Sequence, residues 1–225
     1  MAVNISEGCG VLLLKNVTPV IQAIFADHNL NGGDDPVKVR EGMVYIADSD
    51  ERGYCTNWES LGGRLLDLVE DLGLEGLQDE EDICATLRVL AGHHRTGEAM
   101  EAWIHTHRED IDAGQCGWLP DLFDLAKLLD DGHGLTGISM RTASVCSELR
   151  LGEFYGRGWL FTSVYQEFVD SDDVLKEALT ISDALLADDI VGAGEKVLHQ
   201  VQRALSSIVD EAQRDAITAI VRQGL

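Results

Sequence analysis

Apolar residues recur along this chain at two spacings, and the spacing predicts the elements. Residues 10–16 (GVLLLKN), with an apolar run from Val11 to Leu14, read as a short buried strand. Thr18-Pro19 then opens a helix, with proline where no backbone donor is needed. Val20, Ile21, Ile24 and Phe25 form its apolar stripe, and the Asn29-to-Gly33 segment ends it. VKVRE and MVYIAD, on either side of Gly42, are β-branched and alternating, which predicts a hairpin or two successive strands. The opening unit is therefore expected to be β-α-β.

Helical spacing dominates the middle of the chain. From Asn57 to about Leu74, Trp58, Leu61, Leu65, Leu68 and Leu72 recur at three or four, which builds one apolar face; Gly73 and Gly76 stop the helix. Asp79 is the expected cap of a second helix, EEDICATLRVLAGHH. A third is expected over about Gly97 to His107 and a fourth over Leu119 to Asp131, followed by a loop, GHGLTG. Residues 138–165, rich in Ser, Thr, Val and aromatics and punctuated by Gly152, Gly156 and Gly158, predict a β-hairpin or meander. Helical patterning returns at Asp172, and after Gly192-Ala193-Gly194 a last helix is expected from Glu195 to about Gln223. There, Leu198, Val201, Leu205, Ile208 and Ala212 alternate at three and four, a heptad-like seam that predicts dimerisation, with the Gly-Ala-Gly segment letting the helix swing out. The expected fold class is α+β and helix-dominated: an N-terminal β-α-β unit, a central β-hairpin and C-terminal helices. Residues 1–170 would form the body and 171–225 a helical region.

Composition adds charge to this picture. The chain has 225 residues, 45% of them apolar, so it can bury a core. Forty Asp and Glu against 17 Lys and Arg leave −23. That excludes free-standing binding to nucleic-acid backbones, which needs clustered Lys and Arg, and argues against docking on anionic membranes. The five cysteines (Cys9, Cys55, Cys84, Cys116, Cys146) are odd in number and form no CxxC pair, which fits reduced thiols in a cytoplasm. The N-terminus has no basic region, and no stretch is long and apolar enough for a membrane span.

The charge is unevenly placed. Between Leu65 and Leu87 there is no Lys or Arg, but there are Asp67, Glu70, Asp71, Glu75, Asp79, Glu80, Glu81 and Asp82. Asp67, Glu70 and Asp71 are three and four apart and share a helix face opposite the leucines. Further acids gather at 109–131 and 167–189, whereas residues 190–225 balance to zero, so the whole deficit lies upstream. Rows of carboxylates on rigid helices imitate the phosphates of nucleic acid and can occupy a basic groove by the same electrostatics. In charge, in size and in its acidic helical stretch 65–87, the chain resembles the acidic anti-restriction and anti-CRISPR proteins of phages and plasmids, which block host defence complexes. The resemblance implies binding to a basic nucleic-acid-binding protein, without catalysis and without a cofactor. The alternatives are an acidic housekeeping protein of a halophile, whose acids only solvate it, and a small metal-dependent enzyme.

For an enzyme the candidate ligands are few. Asp48 and Asp50 follow the strand MVYIA, where paired carboxylates can hold Mg²⁺. The order resembles the strand-DxDxT of haloacid-dehalogenase phosphatases, but Arg52 stands where Thr is expected. His105, His107 and Cys116 are of zinc-ligand type, although His105 and His107 point apart on a helix. The bland alternatives are a polar strand exit for the first set and solvated helix-end histidines, favoured by the dipole, for the second.

Overall fold

The computed structural model describes residues 4–32, 39–48, 55–76, 82–146 and 154–224. It is α+β and helix-dominated, with antiparallel strand pairing. By internal contacts the chain divides into two compact units, Glu7–Ile138 and Met1–Ser6 with Ser139–Leu225. The division falls inside two strands, between residues 6 and 7 and between 138 and 139.

In the Glu7–Ile138 unit, strand β1 (Asn4–Leu13) pairs antiparallel with β2 (Met43–Asp48), with Val11 opposite Tyr45 and Leu13 opposite Met43. Between them lies helix α1 (Pro19–Ile24), capped by the Thr18 hydroxyl, which accepts from the Ile21 N–H. The expected hairpin at Gly42 survives as a tight turn: Arg40 and Met43 exchange backbone hydrogen bonds across Glu41 and Gly42, both at positive φ. Val37 and Lys38 of the expected VKVRE strand lie outside the described residues.

Strands β3 (Cys55–Asn57) and β4 (Cys116–Trp118) form a short antiparallel pair, and each leads directly into a helix: α2 (Trp58–Asp71) and α5 (Leu119–Leu128). Asn57 caps α2 by accepting from the Glu59 and Ser60 N–H groups. Helix α3 (Ile83–His94) starts later than the sequence suggests, because Asp82 supplies the cap, accepting from the Cys84 N–H at 2.8 Å. Helix α4 extends to Asp112 (Gly97–Asp112). Trp58, Leu61, Leu65 and Leu68 of α2 are buried with Leu87 and Leu90 of α3, Met100 and Ile104 of α4, and Leu122 and Leu125 of α5. The loop after α5 is bound back to the end of β1: His133 O accepts from the Lys15 and Asn16 N–H groups, and Leu13 O from the Thr136 N–H.

In the other unit, β5 (Gly137–Cys146), β6 (Tyr155–Thr162) and β7 (Gln166–Asp170) lie side by side in that order, a meander where a hairpin or meander is expected. Three helices follow: α6 (Ser171–Leu186), α7 (Ile190–Ser206) and α8 (Glu211–Gly224). The single long helix expected from 195 to 223 is therefore broken. Tyr165 and Ile208 form a β-bridge, the Val209 N–H donates to Val164 O, and strand-like pairing takes residues that would have continued the helix. Gly192-Ala193-Gly194 lies inside α7, with Ala193 buried, and is no hinge. The heptad-like seam is split accordingly: Leu198, Val201 and Leu205 are on α7, Ile208 is in the bridge, and Ala212 is on α8.

Candidate functional site

Helix α2 holds its charge on the face away from the core. Its apolar residues turn inward at the three-and-four spacing, so Asp67, Glu70 and Asp71 are forced outward, and all three are exposed. Exposed Glu75 follows just beyond the helix end. No hydrogen bond or ion pair joins any of these four carboxylates to another described residue. The one base on α2, Arg64, does not offset them. Its guanidinium donates to both carboxylate oxygens of Asp27 (3.0 and 2.9 Å) and through Nε to Ala23 O at 2.7 Å. The neighbouring arginines are engaged in the same way, Arg88 with Glu101 and Arg108 with Asp112. Arg64, Arg88 and Arg108 are thus each paired with another acid, while the α2 carboxylates stand open to solvent.

The remaining acids of the stretch divide. Asp79, Glu80 and Glu81 lie outside the described residues. Asp82 is committed to capping α3, but it also lines a cleft of about 580 Å³ at the junction of α2, α3 and α4. Glu59 and Asp112 line the same cleft, beside Trp58, Ile83 and Ile111. Glu59 escapes the sequence reading because an arginine five residues on breaks the acidic run; its membership comes only from the helix packing. Burial and the nearby Asp82 carboxylate push the Cys84 thiol above its ordinary value, so it is no activated nucleophile.

The histidine and cysteine metal candidates do not assemble. Among the described residues, His105 is exposed, His107 stacks at 4.3 Å on Trp103, and the two do not gather with Cys116 into a ligand set. The helix spacing that separates them explains this. Asp48 ends β2 opposite Gly8, and Asp50 lies outside the described residues. One group missed by the sequence reading does bring ligand-type atoms within 4.8 Å of one another: Asp130, Asp131 and His133. Each is already used. The Leu135 N–H donates to His133 Nδ1 at 2.9 Å, which leaves the proton on Nε2 to reach Ala126 O at 3.0 Å. Asp130 accepts from the Gly132 and Gly134 N–H groups, and Asp131 from the Val20 N–H. Burial raises the Asp130 carboxyl, but those two N–H donors, His133 and Lys127 together bring it below the usual carboxylate value. This cluster is a loop clasp.

No helix among the described residues is long and apolar enough to cross a membrane. No protein-family model matches the chain, nor does any curated protein or solved structure.

Proposed function

We propose that this protein is an acidic inhibitor that occupies the nucleic-acid groove of a basic defence complex, in the manner of anti-CRISPR and anti-restriction proteins. The observation that carries the reading is the row Asp67, Glu70, Asp71 and Glu75: exposed, unpaired, and on or beside a helix whose only base is turned to Asp27. Helix positions three and four apart hold their Cβ atoms about 5–6 Å apart, so Asp67, Glu70 and Asp71 present a dense row of negative charge of the kind a Lys- and Arg-lined groove accepts from phosphates. The cleft at the junction of α2, α3 and α4 adds three further acids, Glu59, Asp82 and Asp112, of which Asp82 caps α3 and Asp112 is paired with Arg108. Binding works by displacing counterions from the partner's lysines and arginines, so no bond is made or broken and no cofactor is required.

The test is capture of nucleic-acid-binding proteins from host lysate on the immobilised chain, at low and at high salt. Duplex DNA should elute the captured partner, and its affinity should fall about tenfold or more as salt rises from low to physiological. Reversing Asp67, Glu70, Asp71 and Glu75 together to Lys should abolish capture. The same number of reversals at Asp183, Asp188, Asp189 and Glu211 gives an equal net charge and should leave capture intact. Equal loss in both variants, or loss in neither, would overturn the assignment to α2.

A further inference from the structure

The exposed ridge of helix α2 is interrupted once. Glu59, Gly63, Asp67 and Asp71 follow at intervals of four, and all four are exposed. Glycine inside a helix is less favourable than alanine. Packing accounts for Gly62, where an added Cβ would lie 3.4 Å from Ile83 Cβ, but not for Gly63, where it would meet nothing within 4 Å. What Gly63 leaves is room, because both glycines line the cleft of about 580 Å³ at the junction of α2, α3 and α4. Two carboxylates on that cleft are unopposed. Glu59 joins no described base, and Asp82 gives one oxygen to the uncharged Cys84 N–H. Asp112 does not count, since Arg108 already neutralises it. Trp58, 2% exposed, lines the same cleft, and its indole Nε1 is buried without a hydrogen-bond partner among the described residues. A buried indole N–H ordinarily has one, so this wall offers a donor that the described chain does not use.

The geometry points to this cleft as the seat of one arginine side chain from the basic partner. Its aliphatic stem lies against Ile83 and Ile111, which line the cleft, and its guanidinium is shared between Glu59 and the second oxygen of Asp82. A main-chain carbonyl of the entering segment takes the Trp58 N–H. Arginine suits the two acids better than lysine, because its donors form a planar fork that reaches two carboxylates at once. A bare metal ion does not suit them: among the described residues, the ligand atoms that gather within 4.8 Å are those of Asp130, Asp131 and His133, not those of this cleft. An anchor side chain seated in a pocket beside a charged ridge is how interfaces concentrate affinity. The inference deepens the function proposed above and rests on it for the partner being a basic protein, whereas the cleft's choice of a guanidinium is testable without that partner.

The test titrates the full chain with acetyl-glycyl-arginyl-glycine amide and follows its amide and indole N–H resonances. Saturable shifts should appear at the Gly62, Gly63 and Thr86 amides and at the Trp58 indole. The citrulline peptide, a neutral isostere, should bind about tenfold or more weakly. Gly63→Leu places a side chain in the cleft and favours the helix; it should abolish the cleft shifts with an unchanged far-ultraviolet spectrum, while shifts at Asp67 and Asp71 persist. Glu59→Gln, which alters charge but hardly shape, should weaken the arginine peptide and leave the citrulline one unaffected. Shifts confined to the outer ridge, equal binding of the two peptides, or unchanged binding by Gly63→Leu would each overturn the seat. Capture from lysate separates this result from the function proposed above. If capture depends on the α2 row but is the same in Gly63→Leu, the arginine seat alone fails. If the peptide enters the cleft but no partner that DNA displaces is captured, the seat stands and the inhibitor reading fails.

Discussion

Gly117, in the middle of β4, shows how a single absent side chain positions a helix. A Cβ there would lie 2.5 and 2.6 Å from the Trp58 ring atoms Cη2 and Cζ2. Trp58 opens α2, is only 2% exposed and meets Trp103 edge-on at 5.8 Å, so the ring has nowhere to retreat. Gly117→Ala should therefore cost about 1–3 kcal/mol by overpacking, read from the urea midpoint with tryptophan fluorescence as the probe. Titratable residues give a second expectation. Burial, then His93, hold the His94 imidazole below its ordinary value, with Asp131 opposing. The Arg157 hydrogen bond, then the Asp172 N–H, hold the Asp170 carboxyl down, and Asp130 is lowered as described above. All three groups bind fewer protons folded than unfolded, so each favours the folded state above its unfolded pKa and loses that contribution as pH falls through its folded one. The thermal midpoint should fall first below about pH 6.5, through His94, and again below about pH 4, through the carboxylates. His94→Gln should flatten only the upper part. Asp124 has the opposite sign, raised by burial and then by Asp121, and partly offsets the lower fall. The histidines visible as a sequence cluster, 93, 94, 105 and 107, were not those that the fold buries most deeply. His28 and His133 are fully buried, and His28 meets Thr56 across 28 positions of sequence, a partner that no local pattern reveals.

Elements were legible where burial and period agreed. The α2 stripe at Trp58, Leu61, Leu65 and Leu68 is buried as its spacing requires, whereas Leu72, expected on the same face, falls at the helix C-cap and is exposed; the N-cap is Asn57, the first residue of the expected helical stretch. Asn57→Ala should cost about 1 kcal/mol and fray the first turn, seen as faster amide exchange at Glu59 and Ser60. Reading failed where tertiary pairing overrode period. The three-and-four spacing runs without interruption through Ile208, yet the Gln166 N–H donates to Ser207 O and Val209 donates to Val164 O, so the chain leaves the helix to meet the β6–β7 turn. Apolar spacing records which residues dislike water, and Ile208 can satisfy that preference equally from a strand. The α3 cap was misplaced for a related reason: among four successive acids, any could accept from a helix N-terminus, and only the backbone path selects Asp82.

For the molecule as a whole, net charge sets how stability responds to salt. At −23 the folded chain repels itself, and screening over about 8 Å at physiological ionic strength should raise the thermal midpoint from its low-salt value. For an inhibitor that uses its acids for binding, the rise should level off near that concentration; for a halophile's solvating surface it should continue into molar salt. Differential scanning fluorimetry across that range separates the two. The asymmetry of charge was readable from residue counts alone, but the pairing of Arg64 with the distant Asp27 and of Arg88 with Glu101 on the next helix was not, and the first of these leaves the α2 row without the one base of its own helix. Because the leucines beneath them are locked in the core, the α2 carboxylates cannot drift to suit whatever cations approach. In the proposed complex they would act as a ruler graduated in helix turns. A partner whose lysines and arginines fall on that scale loses little freedom on binding, whereas one spaced differently must deform or forgo contacts. A flexible polyglutamate of equal charge has no such scale, and it should compete poorly for the right partner while competing well for basic proteins in general.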